Sequence, residues 1–195
     1  MSESQTRDRI LDAALRVLAR DGAAAGSLRR IGAEAGLHNS SLFHHFPGKD
    51  ALHDALAGRV IGAAAPSLAS LATDARPRLA SLADALGDLA EHLAVRPDHA
   101  SFLLSALAAG GCEALDGARS RAESELLAPI WQWLVRARDA GEIRRVRPQP
   151  TTLQLMGLVL LEPAWSIATG PSVLRPASSA RRRELEAWVR GALGR

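Results

Sequence analysis

The chain holds a single cysteine, Cys112, and no tyrosine, and aromatic residues make up only 4% of its 195 positions. One cysteine excludes an intramolecular disulfide and any all-cysteine zinc site. With so few rings, the core has to be built largely from Ala, Leu, Val and Ile. Neither sign of charge dominates, since 24 basic and 21 acidic residues leave a formal charge of +3. Lysine is almost missing: Lys49 is the only one. β-branched runs and strand-like alternation are missing as well, which argues against a sheet.

No stretch reaches the roughly 18 uninterrupted apolar residues of a membrane span. The longest, near 153–168, is broken by Gln154, Glu162 and Pro163. The opening residues, MSESQTRDRI, lack the apolar centre of a signal peptide, so the expectation is a cytoplasmic protein without a membrane partner. Catalytic signatures are absent too: there is no HExxH, phosphate loop or paired-carboxylate spacing. Cys112 with His99 or Asp116 falls at a helix end and a Gly-rich loop that carry no nucleophile signature. Neighbouring His44 and His45 would project about 100° apart on a helix, which does not suit a shared metal. The sequence is therefore expected to hold no catalytic residue, no metal and no cofactor.

What is plentiful is Ala, Leu and Arg, the composition of helices. Ile10, Ala13, Ala14, Val17 and Leu18 recur at helical spacing and predict a helix over about 6–20, stopped at Gly22. Ser27 is a good N-cap for a short helix over 28–35, closed by Gly36. A third helix is expected over 39–45, ended by Pro47 and Gly48. Helices this short are unstable alone, so they should share a small core of Ile10, Ala14, Val17, Leu28, Ile31, Leu37, Leu42 and Phe46. Further helices are expected from Lys49 towards Pro66, over 78–96, over 98–109, over 119–140 with a kink at Pro129, over 151–169 and over 179–193. The predicted fold class is all-α, with about nine helices.

Short helix, tight turn and short helix is the geometry of a helix-turn-helix, whose second helix enters the major groove of DNA. Ala35 and Gly36 supply the small residue and the turn. His38, Asn39, Ser40, Ser41 and His44 point outward and can hydrogen-bond bases or phosphates. Arg7, Arg9, Arg16, Arg20, Arg29 and Arg30 outnumber Asp8, Asp12 and Asp21 over residues 7–30, a local surplus compatible with phosphate contact.

Residues 27–52, SLRRIGAEAGLHNSSLFHHFPGKDAL, resemble the DNA-binding signature of the tetracycline-repressor (TetR) family of bacterial regulators. Ile31, Gly36, Leu42, His45, Phe46 and Lys49 match its pattern in order and spacing. Four positions depart from it: Phe43 replaces a tyrosine, His38 a Ser or Thr cap, Ser40 a glycine and Gly32 an alanine. The resemblance implies a DNA-binding domain over 1–48 and a helical effector-binding and dimerisation domain over 49–195. By matched position, Ser27 caps the first helix of the motif and contacts phosphate. Arg29 and Arg30 pair with the backbone, His38, Asn39 and Ser41 meet base edges, Ser40 and Phe43 lie on the same reading surface, His44 touches phosphate, and Lys49 holds the backbone. Asn is suited to the adenine edge.

For the larger domain, the resemblance implies a homodimer on a palindromic operator, with reading helices about 34–36 Å apart. It also implies a repressor released by a small molecule; the Ala/Leu-rich body suggests a hydrophobic effector. Expected pocket walls are Phe102, Leu103, Leu107, Trp131, Leu134 and Trp165, with His99, Cys112 and Glu162 as polar anchors. The expected dimer face comprises Leu155, Met156, Val159, Leu185, Trp188, Val189 and Ala192 on the last two helices. The rival reading from another class is a helical scaffold that does not bind DNA specifically.

Overall fold

A computed structural model describes residues 3–22, 26–108, 113–169 and 178–194. Among these residues there are nine helical rods and no strand. The first three are α1 (Glu3–Asp21), α2 (Leu28–Glu34) and α3 (Asn39–His45). The fourth, α4, runs from Lys49 to Ala64, tightens into a 3-10 turn over Ala65–Leu68 at Pro66, and ends as Ala69–Thr73. Then come α5 (Leu79–Val95) and α6 (Pro97–Ala108). The rod α7 runs Glu113–Ala122, makes a π-helical turn over Glu123–Leu127 and continues as Ala128–Asp139. Last are α8 (Pro148–Thr169) and α9 (Ser178–Leu193).

Three rods differ from expectation, each for a proline-related reason. α4 does not stop at Pro66, because the 3-10 turn needs no N–H there and lets the rod continue. In α7 the irregularity precedes Pro129 instead of sitting on it. The amide of Ala128 bonds the carbonyl of Glu123, a wide turn that makes room for the ring and the missing donor. α8 begins three residues early, at Pro148, since proline is at home in a first turn. There the buried hydroxyl of Thr152 donates to the Pro148 carbonyl at 2.9 Å.

Helices α1, α2 and α3 close over Ile10, Ala14, Val17, Ile31, Leu42 and Phe46, all buried, with Leu28 and Leu37 packed at the rim. In the body, α8 lies against α6 and α5, α9 against α5, and the first half of α7 against α4. The two parts meet where α1 rests on α6. Arg59 of α4 adds a polar tie there, 2.7 Å from Asp12 and donating to the Asp8 carbonyl at 3.2 Å. By length and composition, the span Lys49–Thr73 could cross a membrane, a resemblance stronger than that of the expected 153–168 stretch. However, Leu52, Leu56, Val60, Ile61, Leu68 and Leu71 are fully buried in the chain's own core, as in a core helix.

Candidate nucleic-acid interface

The turn between α2 and α3 is fixed by Gly36, whose φ of +63° is costly for any residue with a Cβ. The Gly36 amide bonds the Ala33 carbonyl at 3.0 Å, and the Leu37 amide bonds the Gly32 carbonyl at 2.9 Å. This paired closure ends α2 and redirects the chain at once into α3. At the other end of α2, the Ser27 hydroxyl accepts from the Arg30 amide at 3.2 Å, the expected N-cap. Leu42 and Phe46 anchor α3 on its inner side, at 0% and 2% exposure. Ser40, Ser41, Phe43 and His44 are exposed on its outer side. Phe43, at 52% exposure, offers a bare ring to solvent. Asn39 starts the helix, and its side chain lies outside the described residues.

His38 has the extended backbone of an N-cap, but its ring makes no capping hydrogen bond. The imidazole is exposed instead, and α3 begins with a backbone turn in which the Ser41 amide reaches the His38 carbonyl at 3.0 Å.

Internal pairing sorts the cations of this domain. Arg16 and Arg20 are tied to Glu34, Arg20 and Arg30 to Asp21, and Arg59 to Asp12. Arg30, expected on DNA, thus has a carboxylate at 3.0 Å. Among the described residues, Arg7, Arg29 and Lys49 belong to no ion pair. Lys49 opens α4 just after Gly48, where the helix dipole disfavours a cation. Both the side chain and the helix end therefore attract an anion.

Sequence reasoning counted Arg7 only within a basic surplus and gave Thr6 no role. Thr6 joins Leu37, Ser40, Ser41, His44 and His45 around a shallow polar depression of about 490 Å³. Arg7 lies over the Phe46 ring, its guanidinium carbon 5.1 Å from the centroid. A signal for both was available: they precede Ile10 by four and three residues, on the side of α1 that turns towards α3.

The residues expected to form an effector pocket are scattered. Phe102, Leu103 and Leu134 are buried core members, while Leu107 and Trp131 are partly buried against that core. Cys112 lies outside the described residues. His99 is buried, not solvated, and its Nδ1 lies 3.1 Å from Nε2 of His92. Burial, and then the neighbouring Arg96 charge, push its pKa down to about 4, so it is neutral at pH 7. Glu162 and Trp165 line an open outer groove of about 820 Å³ with Gln154, Gly157, Leu158, Leu161 and Trp188.

The residues expected at the dimer face lie largely inside one chain. Leu155, Met156, Val159, Leu185 and Val189 are at most 8% exposed within one chain, and Ala192 packs on the core. They have no area to give a second copy. Of that set, only Trp188 is exposed, at 39%. The apolar surface lies one step round the helices, on Leu158, Leu161 and Trp165 beside Trp188. Periodicity alone could not tell these two faces of α8 apart, because both are apolar.

An exposed second helix, clamped on its inner side and joined to the first by the tight Gly36 turn, is the geometry of a helix-turn-helix. Residues 10–56 match the family described as bacterial regulatory proteins, tetR family. Over residues 10–56 the chain is thus similar to that family, and along its length it shares the helical fold of solved structures such as a putative TetR-family transcriptional regulator from Mesorhizobium loti. Three solved structures illustrate the likeness. The fatty acid degradation regulator FadR from Bacillus halodurans shares 16% identity over 94% of this chain and 97% of its own, with a TM-score of 0.71. AibR, solved with isovaleryl coenzyme A and operator DNA, shares 18% over 93% and 96%, with a TM-score of 0.73. SmeT, solved with triclosan, shares 22% over 97% and 91%, with a TM-score of 0.67. No curated protein matches the chain in sequence.

Proposed function

We propose that the protein is a homodimeric, ligand-responsive transcriptional repressor of the cytoplasm, without catalytic activity of its own. It binds a palindromic operator and is released by a small hydrophobic effector. The observation that carries this reading is the orientation of α3, with Leu42 and Phe46 buried while Ser40, Ser41, Phe43 and His44 face solvent. In this reading, His38, Asn39 and Ser41 meet base edges, Phe43 packs on a sugar or a thymine methyl, and Ser27, Arg29, His44 and Lys49 hold phosphates. Arg30 reaches the backbone by leaving Asp21.

Two of the relatives named above, solved with isovaleryl coenzyme A and with triclosan, support this effector class, as does the Ala/Leu-rich body. An effector can bias the protein only by its differential affinity for two states, typically about 1–3 kcal/mol. The seam of α1, α4 and α6 is where such a bias reaches the reading helix. Dimerisation uses the exposed apolar face of α8 and α9 around Leu158, Leu161, Trp165 and Trp188, since a two-fold assembly presents two reading helices to one duplex.

The test is fluorescence anisotropy with the DNA upstream of the coding region, against random duplex of equal length. Affinity for the upstream DNA that exceeds random by three orders of magnitude or so, and that is weakened by an acyl thioester, supports the reading. Equal affinity for both duplexes overturns it.

A further inference from the structure

The depression between α1 and α3 is built from hydrogen-bonding groups: the hydroxyls of Thr6, Ser40 and Ser41 and the imidazoles of His44 and His45, with Leu37 as the one apolar wall. It contains no carboxylate, and it lies on the face where α3 exposes its polar side chains. Beside it, Arg7 is held over Phe46 and exposed, in a domain where Arg16, Arg20, Arg30 and Arg59 are all neutralised by carboxylates. A cation fixed on an aromatic ring has lost much of the freedom that a binding event would otherwise have to remove. Hydroxyls and imidazoles with no carboxylate among them, next to a positioned cation, suit a phosphodiester oxygen.

We infer that the first turn of α1 is part of the DNA-binding surface: Thr6 closes a seat for one backbone phosphate with Ser41 and His44, and Arg7 supplies its charge. This inference rests on the DNA-binding reading of α3 and adds a contact to it. The contact positions the reading helix and carries no sequence information, so its loss weakens operator and random DNA alike.

The experiment uses the full chain with Arg7→Gln, Arg7→Lys and Thr6→Ala, and Arg145→Gln as an exposed control cation. Binding to operator and random duplex is measured across a series of KCl concentrations. Each neutralised phosphate contributes about 0.9 to the slope of log K against log salt. Arg7→Gln is expected to reduce that slope by about 0.9 on both duplexes, and Arg7→Lys and Arg145→Gln to keep it. Thr6→Ala is expected to weaken both duplexes several-fold at unchanged slope. Melting temperatures identify any variant that merely unfolds. In that case Arg7→Lys and Thr6→Ala decide, because neither removes the charge.

A wild-type slope in Arg7→Gln overturns the inference, as does a loss confined to the operator or full affinity in Thr6→Ala. Wild-type protein that does not distinguish operator from random DNA would instead refute the regulator reading itself.

Discussion

Nε2 of His92, near the end of α5, lies 3.1 Å from Nδ1 of His99, in the first turn of α6. The two rings are tilted at 51° with centroids 5.2 Å apart. Between them in sequence, Arg96 reaches across the corner to Asp98 with two hydrogen bonds, 3.1 and 2.9 Å. Burial lowers the proton affinity of both imidazoles, and Arg96 adds to the effect. At Asp98, burial is the largest influence and works the other way, but the hydrogen bonds and charge of Arg96 together with His99 outweigh it and hold the carboxyl below its usual range. The corner packs against α1 through α6, so its protonation state bears on how the DNA-binding domain is seated.

The sign of the pH dependence follows. Folded His99 titrates at about 4, below the ordinary 6.5, so the unfolded chain takes up the proton first. This contribution to stability is complete above pH 6.5 and is lost as pH falls from there towards 4. Each tenfold in proton affinity is worth about 1.4 kcal/mol, so the loss by pH 5 is at most about 2 kcal/mol. Urea unfolding at pH 7.5 and pH 5 should show it, and His99→Gln should flatten the difference. An unchanged difference in that variant would place the acid sensitivity elsewhere.

Much of the DNA-binding half was legible in the sequence because its signals are local. The Ser27 cap, the Gly36 turn and the apolar positions Leu42 and Phe46 each depend on neighbours within a few residues. At His38, which replaces the family's Ser or Thr cap, the ring is exposed and makes no capping bond. The body was less legible. Which apolar face of α8 is covered depends on how α6 and α5 lie across it, and spacing alone carries no such information. Thus Leu155, Met156 and Val159 turned inward, while Leu158 and Leu161 stayed outside. His99, expected as a pocket anchor, is buried at 2% exposure against His92, which depends on packing that spacing alone does not show.

Gly36 gives a sharp test of how α3 is seated. A Cβ added there meets nothing within 4 Å, so Gly36→Ala is penalised only through its backbone, with φ at +63°. The cost should be roughly 1–2 kcal/mol. Chemical unfolding should register it in full if α3 keeps its position. A smaller loss of stability combined with a large loss of DNA affinity would mean that the turn relaxes and α3 moves.

Arg182 of α9 crosses Gly87 of α5 and meets Asp88 at 2.9 Å, Asp84 at 3.2 Å and Glu91 at 3.4 Å. These bonds, Asp88 foremost, raise the proton affinity of the guanidinium. Removing the arginine leaves three carboxylates of one helix face to repel one another. Arg182→Ala should lower stability by about 1 kcal/mol, more at low salt than at high. Gly87→Ala places a methyl 3.1–3.3 Å from the arginine stem and head. It should shift Arg182 while gaining helix propensity of about 1 kcal/mol, leaving the melting temperature nearly unchanged. Thermal melts in low and high salt check both variants.

The proposed dimer face offers the most direct check on the assembly. Leu158, Leu161, Trp165 and Trp188 are 42%, 57%, 61% and 39% exposed and line one open groove. Leu161→Glu should replace burial with an unpaired carboxylate, and sedimentation at micromolar concentration should then find a monomer where the unaltered chain is a dimer. Because Leu161 is outside the core, the melting temperature should fall only by what the dimer contributed, and should stop depending on protein concentration. Operator affinity should drop sharply, since one reading helix then binds without the other. Leu155→Glu provides the contrast: it lies in the interior at 0% exposure, so it should unfold the chain instead of separating two copies. If Leu161→Glu stays dimeric with unchanged operator affinity, the copies meet through a different surface.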